Sequence, residues 1–198
     1  DALVDLLSEL DRMPQTQKMA RGVIDNYIVN FKALHELRAS ENSYRNPNED
    51  LKWLQSLIGG QIASISADMR LELDERVPTM YLTRKVQASY LELAINAVRH
   101  GHATKLLAKT ELIEAGKEPI FSQDMVAVHI YNNGRPIANP EIIFEKSTER
   151  MTGLYNARAR VELNNGRIAL TPSDIPDYAT HFVIYLPIKQ QSQQRVAA

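Results

Sequence analysis

Cysteine is absent from this chain. Disulfides and thiolate zinc sites are therefore excluded, and the redox compartment is left open. An excess of charge is absent too: 23 Lys and Arg stand against 24 Asp and Glu, a formal net charge of −1. That balance gives no electrostatic ground for a nucleic-acid partner or an anionic membrane surface. No apolar run approaches the roughly 18–20 residues that a membrane-spanning helix needs, and no signal-peptide pattern opens the chain. Internal repeats and low-complexity tracts are missing, apart from a polar tail from Gln190. The first residue is Asp1 rather than methionine, so the sequence reads as a fragment or a processed product.

What is present is an ordinary soluble composition, 44% apolar and 24% charged over 198 residues. This suffices for one domain with a sizeable core and a short appendage. Leu3, Leu6, Leu7 and Leu10 follow the i, i+3, i+4, i+7 pattern of a helix, which Asp11 to Pro14 breaks. Residues 15–40 read as a second helix with Ile24, Tyr27, Phe31 and Leu34 on one side. Two such helices cannot bury both apolar stripes alone. They either pair with a second copy, making a homodimer, or pack on the domain that follows. The polar cluster Asn42 to Asn48 reads as a linker.

Beyond the linker, helices are expected over residues 50–66 and from about Thr83 to Arg99. Strands are expected at Arg70–Leu73, Lys105–Leu112, Met125–Tyr131, Arg167–Leu170 and Phe182–Leu186. The second and third of these pair across the polar loop Glu114–Gln123. The order predicts an α+β fold: a two-layer sandwich of a mixed, mainly antiparallel sheet with helices on one face. The predicted division is a helical segment over 1–44, one domain over 45–188 and a tail over 189–198.

Three segments carry chemistry. In the helix, Glu92 and Asn96 stand four residues apart and so share a face. Asn96 offers a neutral oxygen to a magnesium ion, and Glu92 can hold a water or a hydroxyl. Leu91, Ala94, Ile95 and Val98 supply an apolar face. Glu and Asn also share helix faces for structural reasons alone, and that reading stands beside the chemical one. Next, the alternating strand Val126–Tyr131 ends in Asn132-Asn133-Gly134, followed by Pro136 and Ile137. Last, Thr152-Gly153-Leu154 opens a helix that carries Arg158-Ala-Arg160-Val161.

In this order, with the closing strand His181–Pro187, the segments resemble the GHKL ATPase superfamily, and within it the catalytic domain of sensor histidine kinases. The resemblance covers about residues 50–188. Glu92 to His100 looks like the N box, Asn132 to Ile137 like the box that receives adenine, and Thr152 to Leu154 like the glycine box beside the ATP lid. The run from Leu154 to Val161 is similar to the nitrate-sensor and thermosensor subgroup. The resemblance implies ATP and magnesium as cofactors, with Asn96 as the metal ligand and Glu92 as the catalytic base or orienting group. It implies nucleotide contacts at Asn96, His100, Asn132, Gly134, Ile137, Gly153 and Leu154. His100 reads equally as a helix C-terminal histidine favoured by the dipole, and His102 as exposed loop. The implied partner is a response regulator, with a homodimer through the leading helices, no nucleic acid, and a membrane only through segments outside this chain. The implied location is cytoplasmic, as the cytoplasmic part of a membrane-bound sensor if one lies upstream.

The boxes depart from the family at named positions. Asn132 replaces an aspartate that accepts from the adenine amine. Losing the charge costs about 1–2 kcal/mol, roughly tenfold in affinity. Pro136 and Met151 replace glycines, and Asn156 stands where the subgroup often has another. In the lid, residues 142–151, Lys146 and Arg150 can meet phosphate or remain solvated charges. His35, in Leu34-His35-Glu36-Leu37-Arg38, looks like a phospho-acceptor, but it sits at the end of its helix and is read as structural. The alternative to a kinase is a degenerate, non-ATPase member acting as a dimeric histidine phosphotransfer or scaffold protein. An anti-sigma-type switch kinase is a third reading, disfavoured by the leading helices.

Overall fold

The computed structural model of the chain describes residues 43–60, 67–117, 121–140, 142–145 and 153–188. The expected helices over 1–40, His35, Lys146, Arg150, Met151, Thr152 and the tail from Gln190 lie outside the described residues. In chain order the elements are β1 (Ser43–Arg45), α1 (Pro47–Gly60), β2 (Asp68–Glu72), β3 (Met80–Leu82), α2 (Arg84–Arg99) and β4 (Lys105–Ile113). Then follow β5 (Met125–Asn132), α3 (Gly153–Glu162), β6 (Arg167–Thr171) and β7 (Thr180–Pro187).

Alternation builds the sheet. Its strand order is β2-β4-β5-β7-β6, with β2 parallel to β4 and every other pair antiparallel. The expected pairing of β4 with β5 holds, with Leu106 opposite Asn132 and Ile113 opposite Met125. Along β5, Val126, Val128 and Ile130 join the main core, together with Phe182, Ile184 and Leu186 of β7. The alternate residues Met125, Ala127 and Val183 turn to the other face and form a small cluster with Ile113. The three helices cover the first face. Leu51 and Leu54 of α1, Leu91 and Ala94 of α2, and Val161 of α3 are all fully buried in the same core. Each buried leucine contributes roughly 1.5–3 kcal/mol, whereas an exposed pair such as Lys52–Glu49 contributes at most about 1 kcal/mol. Apolar packing therefore holds the layers together. This is the predicted α+β sandwich. Among the described residues no helix is long and apolar enough to cross a membrane.

The structure differs from the sequence reading near residue 45. The cluster read as a linker contains β1, which pairs antiparallel with β3, Tyr44 opposite Tyr81. The same cluster starts α1 three residues earlier than expected. Asn46 Oδ1 accepts from Asn48 N–H at 2.8 Å, an N-cap contact, and Pro47 takes the first helical position. Arg45 then pairs with the buried Asp50. Burial raises the Asp50 carboxyl above its ordinary pKa, and the Arg45 hydrogen bond opposes this.

Helices α2 and α3 run antiparallel, joined by side chains as well as by packing. Asn164, just past α3, is buried. Its Oδ1 accepts from Thr83 N–H at 3.1 Å, and its Nδ2 donates to Thr83 Oγ1 at 3.0 Å and to Arg160 O at 2.9 Å. Ser89 Oγ donates to Ala157 O at 3.1 Å. Asn164→Ala should destabilise the domain by about 1–3 kcal/mol, because it leaves Thr83 N–H without its acceptor. A urea midpoint unchanged from wild type would show the tie to be energetically idle.

Candidate functional site

Helix α2 carries the first half of the site. It is buried on most sides, since Tyr90, Leu91, Leu93 and Ala94 face the core while Ser89 faces α3. Glu92 and Asn96 fall on a half-buried stripe between these surfaces. The start of α3 abuts that stripe. A methyl group added at Gly153 would overlap Glu92 Oε1, lie 2.9 Å from Glu92 Cδ, and lie 3.3 Å from Asn96 Nδ2. The space at Gly153 thus admits only hydrogen while Glu92 stays where it is. The carboxylate stands at the N-terminal end of α3, where the helix dipole favours negative charge. Arg160, two turns along α3, places Nη1 3.9 Å from Glu92 Oε2.

The second half forms where α2 ends. Asn96 O accepts from both His100 N–H (3.0 Å) and Gly101 N–H (3.1 Å). Ala103 N–H reaches back to Ala97 O at 3.0 Å, past His102, whose φ is 56°. His100 is exposed at this helix end, and His102 is exposed in the following turn, as expected. Gly101 O accepts from Arg135 N–H at 2.8 Å, which fastens the helix end to the turn after β5. Within that turn, Asn132 is buried, and its Oδ1 accepts from Gly134 N–H at 3.1 Å. A Cβ on Gly134 would lie 2.7 Å from Gly101 O and 2.9 Å from Asn132 Oδ1, so glycine is required by this close approach. Asn133 Oδ1 accepts from Thr104 and Lys105 N–H at 2.9 and 2.8 Å and holds the turn against β4.

The expected residues therefore gather in two groups on successive turns of one helix. Glu92, Asn96 and Gly153 form one; His100, Asn132 and Gly134 surround the helix end. Asn96 belongs to both, through its side chain and its carbonyl. Ile137 and Leu154 are half-buried and pack against the main core. Two contributors went unnoticed in the sequence. Asn133 is a bracket for the turn, and its only signal was its place in the Asn-Asn-Gly run. Arg160 stands in the Arg158-Ala-Arg160-Val161 run, and nothing in its spacing ties it to Glu92.

No protein-family model matches the chain, and no curated protein matches it. Solved structures do. The catalytic domain of histidine kinase ThkA superposes with a TM-score of 0.59 at 21% identity, over 75% of this chain and 97% of that one. The histidine kinase AdeS of Acinetobacter baumannii gives 0.59 at 15% identity, over 94% of this chain and 95% of that one. The ATP-binding domain of PrrB from Mycobacterium tuberculosis gives 0.56 at 21% identity, over 76% and 100%. The fold is that of the ATP-binding catalytic domain of histidine kinases.

Proposed function

We propose that this chain is the catalytic part of a sensor histidine kinase, binding ATP with magnesium and passing the γ-phosphoryl to a histidine for relay to a response regulator. The observation that carries this reading is the meeting of Glu92, Asn96 and Gly153. It puts a carboxylate, a carboxamide and a helix N-terminus at one place, as phosphoryl transfer requires. Asn132 and Gly134 lie beyond the end of the same helix and would take the adenine end. Cytoplasmic placement and a homodimer through residues 1–40 belong to the same reading.

The donor set fits magnesium of a particular kind. Asn96 is one hard, neutral oxygen ligand beside a half-buried carboxylate. Among the described residues no three His, Cys, Asp or Glu side chains gather around a common point. Magnesium commonly keeps several waters and takes only one or two protein ligands besides phosphate oxygens. When bound, the ion would neutralise phosphate charge. The chain's own residues do the rest: Asn96 orients, Glu92 accepts a hydrogen bond from the incoming nucleophile, and the start of α3 presents N–H groups to phosphate.

One observation favours the alternative, a non-ATPase phosphotransfer or scaffold protein. Asn132 Oδ1 already accepts from Gly134 N–H. An amide oxygen has two lone pairs, so one remains for an adenine amine, without the help of charge. Calorimetric titration of an ATP analogue and of ADP, with and without magnesium, separates the readings. Magnesium-dependent binding in the micromolar to submillimolar range is expected. Asn96→Ala should weaken it by about tenfold or more, equivalent to about 1.4 kcal/mol. A folded chain that takes up no nucleotide at millimolar concentration would leave the scaffold reading in place.

A further inference from the structure

Glu92 is held from two places on one helix. Its Oε1 lies against Gly153, and its Oε2 faces Arg160 Nη1 at 3.9 Å. Positions 153 and 160 are seven apart, two turns of α3, and so lie on the same face. The side chains of Arg160 and Glu92 are only 22% and 23% exposed. The helix that carries Arg160 is itself fixed to α2 through Ser89–Ala157 and through Asn164, which bonds the Arg160 carbonyl. The backbone that carries Arg160 is therefore braced against α2, and the side chain that reaches Glu92 is mostly buried. At 3.9 Å the contact is an ion pair, longer than a hydrogen bond. It places positive charge beside the carboxylate and leaves lone pairs on both oxygens to accept from a third group.

We propose that Arg160 is a positioning residue for phosphoryl transfer, holding the Glu92 carboxylate toward the start of α3 where the incoming nucleophile arrives. The proposal rests on the kinase reading above. It assigns Arg160 no contact with nucleotide. Its effect passes through Glu92, and it belongs to the chemical step rather than to binding.

The test compares wild type with Arg160→Gln, Arg160→Lys, Glu92→Gln and the Arg160→Gln/Glu92→Gln double variant. Nucleotide affinity is read by calorimetry, and ADP formation, with water taking the γ-phosphoryl, is read at saturating magnesium-ATP. Affinities should stay within about threefold of wild type, because uniform binding is untouched. The saturating rate should fall about ten- to hundredfold in Arg160→Gln, the size of loss that misplacing a catalytic group produces. Arg160→Lys keeps the charge and should recover most of that rate. The double variant should be no slower than Glu92→Gln alone, since residues that act as a unit are not additive.

A wild-type rate in Arg160→Gln would overturn the proposal while leaving the kinase reading intact. So would losses that multiply in the double variant, or an affinity loss equal to the rate loss. A wild-type chain that neither binds ATP nor forms ADP would overturn the kinase reading and this role with it. If Arg160→Gln does not fold, Arg160→Met replaces it, keeping the apolar stem without the charge.

Discussion

Gly153→Ala is expected to leave the stability of the fold within about 1 kcal/mol of wild type and to slow turnover about hundredfold. The two effects have separate causes. At the start of α3, alanine is a better helix former than glycine by roughly 0.5–1 kcal/mol. No positive φ at Gly153 opposes the change. The added methyl does collide, but with the far end of a flexible side chain, the Glu92 carboxylate, and not with backbone. Glu92 can rotate away at a small cost, about 0.5–1.5 kcal/mol if it leaves a rotamer well. Stability thus gains and loses similar amounts. In the proposed kinase, function has no such compensation, since the displaced atoms are the ones proposed to face the nucleophile. Urea unfolding and ADP formation at saturating magnesium-ATP, measured on the same preparation, check both halves. A variant that is fully active would show that Glu92 does not act from where it stands.

The adjacency of Gly153 and Glu92 was not legible in the sequence, although both residues were. Helix α2 was readable because its apolar pattern is long and continuous, and β4, β5 and β7 because they alternate. Their ends fell within two residues of the expectation. The missing pieces are those whose form depends on distant partners. β3 has three residues, flanked by Pro78 and Thr83, and exists by pairing with β1, some forty positions away. β1 was hidden because Asn42 to Asn48 has the composition of a turn, and local propensity yields to tertiary pairing. Parallel pairing of β2 with β4 is a matter of register across a helical crossover, which side-chain alternation does not encode. The Glu92–Arg160 pair needs the antiparallel packing of α2 on α3, and that is fixed by Asn164 and Ser89 rather than by either charged residue.

The face of the sheet turned away from the helices holds a second cluster, beside the Asn132 turn in sequence but with its side chains on the other side of the sheet. On β5 and β7, His129 Nδ1 and His181 Nε2 lie 3.0 Å apart, and His181 Nδ1 lies 2.8 Å from Thr171 Oγ1. The His181 ring stacks on Tyr131 with centroids 3.9 Å apart, and Tyr131 OH donates to Asp174 at 3.0 Å. One proton between the two facing nitrogens makes a hydrogen bond, whereas two would place like charges in contact. Burial and then the facing His129 push His181 down to about 4, against an opposing pull from Asp174. Burial also lowers His129, with Asp174 opposing and Lys109 adding to the depression. Glu111, 3.8 Å from His129 Nε2, and Asp174, 4.0 Å from His181 Nδ1, are both exposed, so solvent screens their pull on the pair.

The sign follows from which state binds more protons. In the unfolded chain histidines titrate near their ordinary value of 6.5. In the folded chain His181 stays neutral down to about 4. The contribution is therefore fully present above about pH 6.5 and is lost progressively as pH falls through 4, amounting to about 3 kcal/mol. Asp74, whose carboxyl the Arg76 hydrogen bond holds far below its ordinary value, adds an acid-sensitive contribution only below about pH 4. The two windows are thus separable. Urea midpoints at pH 7.0, about 5.5 and about 4.5 should fall steadily for wild type. His181→Gln should start lower at neutral pH, since it loses the ring stack, and then change much less across the same range. Equal slopes for the two proteins would mean that the histidine pair is not what makes the domain acid-labile. Its effect should also leave magnesium-ATP affinity at neutral pH unchanged, because the cluster lies on the side of the sheet opposite the helices that carry Glu92, Asn96 and Gly153.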